Sequence, residues 1–329
     1  MKISLQLPEW AIWVLIAAVV AFVALCVASV RRYGGVKRSF FAMPYTVWMV
    51  LFTIVPCVLI AYYAFTSSSG QFTWDNFINF WDSNHSVNQM YAELGPDYAA
   101  LITRGTVNID ILIYSLWMAL WCTLICLLMG YPAALFMADR EMKIGSTIVV
   151  LFIIPMWMNF LLRTVAWMTL LEDQGLINTL LRTLGFGSAQ LMYNDGAVLL
   201  GMVYNFLPFM VFPIYTSLTK TDRKLLEAAQ DLGADHLQTF WRVSAPLSIP
   251  GVISGITMVF MPSVTTFFIP RILGGGNTMM FGDLIENRFL TEGNWNLGSA
   301  LSLIMMVLIL ISLSILRKAD PEGEGGGIV

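Results

Sequence analysis

Seven apolar runs, at 10–30, 42–65, 109–137, 147–171, 198–218, 250–270 and 297–316, each reach about the 20 residues that a helix needs to cross the hydrocarbon core of a bilayer. In that solvent every backbone N–H and C=O must find its partner within the helix, so a chain built from such runs is expected to be all-α, a polytopic transmembrane bundle. Composition agrees: 57% of the 329 residues are hydrophobic and 12% are charged, where an ordinary soluble domain carries about 25% charged residues. A net charge of -3 leaves no basic field for a phosphate backbone, which excludes nucleic acid as a partner. Cys26, Cys57, Cys122 and Cys126 all fall inside apolar runs and read as small buried hydrophobes with no disulfide framework.

The first run is too long for a signal-peptide core. Its leading segment carries only Lys2 as a positive charge, and Arg31 and Arg32 follow directly, so it is expected to remain as a helix. Pro56, Pro132, Pro155, Pro208, Pro213 and Pro262 lie in or beside the runs, where neighbouring helices can satisfy the freed backbone groups of a kink.

Lysine and arginine set the direction, because short cytoplasmic loops retain positive charge. Twelve of the eighteen fall on one side: Arg31, Arg32, Lys37, Arg38, Arg140, Lys143, Lys220, Arg223, Lys224, Arg242, Arg317 and Lys318. The other side holds Lys2, Arg104, Arg182, Arg271 and Arg288, and Arg163 lies within a run. The N-terminus is expected outside and the C-terminus in the cytoplasm, as seven spans require. Two external loops follow, 66–108 and 172–197, with an internal loop at 219–249. Ser67, Ser68, Ser69 and Gly70 mark a turn ahead of FTWDNFINFWD at 72–82. The tail at 319–329, with its EGEGGGIV ending, has nothing apolar to pack and is expected to be disordered.

The internal loop carries the sharpest pattern, TDRKLLEAAQDLGADHLQTFWRVSAP at 221–246. Asp222 suits an N-cap. Leu225, Ala229 and Leu232 then form one apolar face that stops at Gly233, a residue suited to a left-handed C-cap. Asp235 and Gln238 have capping-box spacing for a second helix, whose apolar face holds Leu237 and Trp241. Ala228 and Ala229 keep the first helix thin enough for close approach, and Glu227 offers a charge to a partner cation.

This string resembles the EAA loop of binding-protein-dependent ABC importer permeases, with Glu227, Ala228, Ala229, Gly233 and Pro246 matching in register. Val243 and Ala245 stand where the family pattern has isoleucine and leucine. The resemblance implies that the loop is a coupling helix seated in a cleft of a cytoplasmic ATPase. The alternative is an amphipathic internal loop with a chance match. FTWDNF at 72–77, LLRTVAWMTLLEDQGLIN at 161–178, YNFLPFMVFPIY at 204–215 and ILGGGNTMMFGDLIENRFL at 272–290 are similar to permeases of spermidine/putrescine importers. Importers of other organic solutes share much of this, and some carry Gly-Glu-Phe where this chain has Thr265, Thr266 and Phe267. The resemblance covers about residues 41–316 and implies the family's six core spans plus one extra N-terminal span. The domains expected are 1–38, the extra helix with a basic cytoplasmic linker; 39–318, the permease domain; and 319–329, the tail. The implied partners are a second permease subunit, a cytoplasmic ABC ATPase dimer and an extracytoplasmic solute-binding protein, in a cell membrane and with no cofactor.

No catalytic constellation is visible. His85 and His236 fall on opposite sides of the membrane, away from any shared metal. No lysine follows a glycine, so a Walker A loop is missing and the ATPase must be another subunit. Asn159, Arg163 and Trp167 share a helix face. A charge there costs at least about 2.5–3.5 kcal/mol unless partnered, so Arg163 either lines a permeation path or pairs with Asp173 or Asp195. Glu172, Asp173, Asp195, Asp283 and Glu286 lie beyond the outer span ends, as attractors of ammonium groups or as solvated loop acids. In the sixth span Ser254, Thr257, Ser263, Thr265 and Thr266 offer hydroxyls, and Phe260, Phe267 and Phe268 offer aromatic faces for a cation. The competing reading bonds those hydroxyls to their own helix. Gly251 and Gly255 form a GxxxG that marks close packing, with the partner permease a candidate for the facing helix. A secondary transporter would want carboxylates buried in mid-span, and none are present. A membrane enzyme would want His or Cys ligand clusters.

Overall fold

The computed structural model describes residues 45, 48–85, 105–138, 152, 154–185 and 187–319, with backbone alone at 223 and 317–319. The expected extra span at 10–30, the whole of the 1–38 domain, the tail beyond 319 and the segment holding Arg140 and Lys143 lie outside the described residues. Helices dominate the rest, and the only β feature among the described residues is an isolated bridge between Thr66 and Phe72.

The helices are α1 (Val55–Ala64), α2 (Asp75–Trp81), α3 (Val107–Ala138), α4 (Phe160–Leu171), α5 (Leu176–Thr183), α6 (Asp195–Lys220), α7 (Arg223–Asp231), α8 (His236–Thr239), α9 (Ala245–Thr265), α10 (Phe268–Leu273), α11 (Phe281–Leu290) and α12 (Trp295–Ala319). Four helical stretches among the described residues are long and apolar enough to cross a membrane: α3, α6, the run His236–Thr265, and Trp295–Leu316 of α12. Two π-turns, Val50–Ile54 and Phe240–Ser244, stand just ahead of Pro56 and Pro246. Proline lacks the N–H that an α-helix would return to the preceding turn, and the wider i→i−5 winding accommodates it without a break.

The core centres on α6. Met202, Met210 and Ile214 are fully buried there, packed with Cys122 and Cys126 of α3, Val259 of α9 and Ile269 of α10. Glycine lets the backbones close up. A Cβ on Gly251 would lie 2.7 Å from the Pro213 carbonyl oxygen and 2.6 Å from Ser217 Cβ, and one on Gly255 would lie 2.8 Å from Met210 Sδ. The GxxxG therefore packs against α6 of its own chain, which removes the partner permease as its facing helix. A second cluster joins Phe80 of α2, Ala119 of α3, Phe281 of α11 and Leu301 of α12. Alongside, α1 meets α12 head to tail, with Asn296 Nδ2 donating to the Tyr63 and Thr66 carbonyls. The outer surface is apolar, with Leu128, Leu310 and Ile315 all more than half exposed. A monomer in water would not leave so much apolar surface bare, whereas lipid tails cover it. Cys57 belongs to this surface and is exposed on α1, unlike buried Cys122 and Cys126.

Three expected segments differ in detail. The fourth span is not one helix: after a helical stretch at 154–157 the chain turns at Met158 and restarts at α4. Asn159 supplies the reason, because its Oδ1 accepts from Leu161 N at 2.8 Å as an N-cap. The sixth span stops at Thr265, and Thr266 and Phe267 separate it from α10. Its N-terminal end instead begins at His236, so the second half of the 219–249 loop is an extension of the span.

Candidate functional site

The internal loop folds as two capped helices around one corner. Asp222 Oδ1 accepts from Lys224 N at 3.0 Å and starts α7. At the far end Gly233 takes φ +87. Its N–H donates to Gln230 O at 2.8 Å, and Ala234 N donates to Ala229 O at 3.1 Å. This pair of bonds is a Schellman close, which satisfies carbonyls that a helix end leaves open. Asp235 and Gln238 then form a reciprocal capping box, with Gln238 N donating to Asp235 Oδ1 at 2.6 Å. The hairpin leaves apolar groups bare: Leu232 is 90% exposed, and Leu237 and Trp241 are 66% exposed. Glu227 and Ala228 are exposed on the same helix, Ala229 is partly covered, and Pro246 opens α9 at its exposed base.

Of the three residues expected to share a face, Asn159 is the exposed N-cap outside α4, whereas Arg163 and Trp167 lie on the helix, with Trp167 turned towards α6. Trp167 meets Tyr204 edge-on at 5.3 Å. Arg163 is only 6% exposed, and its Nε and Nη1 have no hydrogen-bond partner. Among the described residues neither suggested carboxylate reaches it. Asp195 Oδ1 accepts from Thr278 Oγ1 at 3.1 Å, and the Asp173 carbonyl accepts from Arg182 at 3.0 Å. Beside Arg163, Thr164 is buried, and Asn205 Nδ2 donates to Gly201 O at 2.8 Å while its Oδ1 stays unpartnered. Tyr204 and Asn205 are not among the candidate site residues read from the sequence; their signals are adjacent polar groups inside an apolar run and their place at the head of the family-like string at 204–215.

The two interrupted helices meet. The ring of Phe160, first in α4, lies 6.2 Å from that of Phe268, first in α10. Non-helical backbone at membrane depth is tolerated where it is buried in protein or lines a cavity. Here Thr266 is buried while Phe267 is 43% exposed. Thr257 and Thr265 bond back to the carbonyls of Ile253 and Met261, at 2.9 and 3.2 Å, so these hydroxyls are engaged with their own helix. Further towards the α7 end, an open groove of about 240 Å³ runs along the seam of α6 and α9, lined by Pro213, Thr216, Ser217, Lys220, Gly251 and Ser254. Of these, Pro213, Lys220, Gly251 and Ser254 are each singled out by the sequence; hydroxyls beside helix-kinking prolines were the available clue to the groove.

The five candidate acids sit in three different settings. Glu172 and Asp173 are exposed at the α4–α5 corner. Asp195 opens α6 and holds Thr278. On α11, Glu286 is ion-paired with Arg271. Burial lifts the Asp283 carboxyl above the usual carboxylate range; Arg271 opposes that rise and Glu286 adds to it.

A family profile described as "Binding-protein-dependent transport system inner membrane component" matches residues 130–322. The chain is 34% identical over 281 residues to the spermidine/putrescine transport system permease protein PotB of Escherichia coli strain K12, covering 83% of this chain and 94% of that protein. Identity to the PotB protein of Haemophilus influenzae is 33% over 275 residues, covering 83% and 90%. In fold, the chain is similar to a chain from the crystal structure of a bacterial ABC transporter that imports the acidic polysaccharide alginate. The TM-score is 0.69 at 14% identity, covering 89% of this chain and 98% of that one.

Proposed function

The chain belongs to the binding-protein-dependent ABC importer permeases, and from that premise we propose that its cargo is a polyamine of the spermidine/putrescine class. Kinship with the PotB permeases over most of both chains supports this reading. It is a multi-pass inner-membrane protein, and permeases of this kind work with a solute-binding protein and an ATPase. The ATPase activity resides in a separate cytoplasmic subunit, a second permease completes the path, and the C-terminus faces the cytoplasm.

The observation that carries the mechanism is the corner at Gly233. Closure of the ATPase dimer pushes on α7, with Glu227, Ala228, Ala229, Gly233 and Pro246 as the coupling contacts. Because α8, the π-turn and α9 are one continuous helical run, a push at the corner is delivered as a rigid-body movement of the span that ends at Thr265. That span packs along α6 through Gly251 and Gly255, so the two move together. The path uses the region of Asn159, Arg163, Trp167, Thr257, Thr265, Thr266 and Phe267, where two interrupted helices meet. Ammonium groups meet the aromatic face of Phe267 there. Glu172, Asp173, Asp195, Asp283 and Glu286 bias the outer mouth towards cations, with Glu286 acting as part of its pair with Arg271.

The test is proximity. Ala228→Cys in the assembled complex should cross-link to cysteines placed in the ATPase cleft, and the yield should change on ATP binding. Absence of any cross-link from Ala228→Cys and Leu232→Cys in an active complex would remove the coupling role.

A further inference from the structure

We propose that α2 is an interfacial anchor whose exposed face lies in the lipid headgroup layer at the outer ends of the spans. Its other face is fixed to three of them. Asn76 Nδ2 donates to the Ala64 and Thr66 carbonyls at 2.9 and 3.0 Å, capping the end of α1. Asn108, in the first turn of α3, donates to Asn79 O at 2.9 Å. Phe80 is buried edge-on against Phe281 at 6.3 Å, in the cluster that holds Leu297 and Leu301 of the first turns of α12. Hydrogen bonds to the ends of α1 and α3, with packing against the first turns of α12, hold α2 at the depth where those helices leave the hydrocarbon.

The opposite face is apolar and bare. Trp74, Ile78 and Trp81 recur at spacings of four and three and are 57, 41 and 60% exposed. Phe72, just ahead of them, stacks on Phe65 at 5.9 Å, and Trp74 meets the same Phe65 ring edge-on at 5.1 Å. Phe65 caps α1, so this aromatic surface continues the exposed apolar flank formed by Ile54 of the π-turn and Val58 of α1. No charge interrupts it. Asp75 turns to Thr73 and His85, and Asp82 accepts from the backbone of Asn84 and Gly105. Tryptophan is enriched at the headgroup level because its ring is apolar while its N–H still reaches water.

A charge-free face with two indoles suits lipid better than the solute-binding protein. The binding protein arrives from water and leaves each cycle, and would return the indoles to water every time, whereas the bilayer covers them continuously. The anchor would hold the α1–α2 turn against the span ends while α9 moves, whichever solute is carried.

The experiment uses the assembled complex in phosphatidylcholine/phosphatidylglycerol vesicles, with a nitroxide at Ile78→Cys in a background carrying Cys26→Ser and Cys57→Ser. Collision with oxygen should exceed collision with nickel ethylenediaminediacetate, and the solute-binding protein should not alter the ratio. The same label at Ser69→Cys, in the exposed turn, should favour the nickel chelate. Equal access of the chelate to both positions would overturn the proposal, and so would shielding of Ile78→Cys only when the binding protein is added. Trp81→Cys provides the same readout if the Ile78 variant fails to assemble.

Discussion

Substituting Gly233 separates the shape of the coupling corner from its bulk. At φ +87 a side chain is strained, yet a Cβ built on Gly233 meets nothing within 4 Å, so any cost is conformational and not steric. A non-glycine residue in the left-handed region costs about 1–2 kcal/mol, with a β-branched residue at or beyond the upper end and asparagine least affected. The Schellman bonds from Gly233 to Gln230 and from Ala234 to Ala229 resist that strain until the corner opens. Valine should therefore shift the local equilibrium towards the open corner by about 2 kcal/mol, or about 30-fold, and alanine by about 1 kcal/mol. The expected order of uptake in vesicles is Gly, then Asn, then Ala, then Val, with membrane insertion unchanged throughout. Amide exchange at 233 and 234 should accelerate in the same order. Wild-type uptake and ATP hydrolysis in Gly233→Val, with accelerated exchange confirmed, would refute the claim that this corner transmits the push.

Glu227→Lys should abolish uptake while leaving the subunit inserted and the isolated ATPase active; retained uptake would remove Glu227 from the coupling contacts. Gly251→Ala drives a methyl into the Pro213 carbonyl and Ser217 Cβ, an overpacking cost of about 1–3 kcal/mol, so thermal unfolding of the purified subunit should move down by several degrees. An unchanged midpoint would show that α6 and α9 are not held at the separation described. Asp283 has a raised pKa in the fold, so it favours the fold only while protonated and loses that contribution as pH rises through the folded value. Asp283→Asn should therefore raise the unfolding temperature relative to wild type at pH 7 and lose that advantage towards pH 4; a pH-independent difference would contradict the burial argument.

The corner was legible in the sequence because its signals are local: an N-cap at Asp222, a left-handed glycine at Gly233 and a capping box from Asp235 to Gln238 each act within four residues. The interruptions at Asn159 and at Thr266–Phe267 were hidden, since an apolar run reports solvent and says nothing of backbone path. Asn159 in N-cap position after Pro155, and paired threonines after Pro262, were the only hints. The GxxxG revealed close packing but not which helix closes on it, because small residues admit any neighbour. Arg163 shows the same limit: its type and depth predicted a need for a partner, but the sequence could not reveal that Asp195 is taken up by Thr278 and that Asp173 sits exposed at the α4–α5 corner.

The most direct measurement places the assembled complex in sealed vesicles with ATP on the side of the coupling loop and a loaded solute-binding protein on the other. The account predicts ATP-dependent accumulation of spermidine, with hydrolysis stimulated by the spermidine-loaded binding protein and both lost in Glu227→Lys. Accumulation without ATP would contradict the importer assignment, and stimulation only by an anionic or neutral solute with its own binding protein would contradict the polyamine assignment.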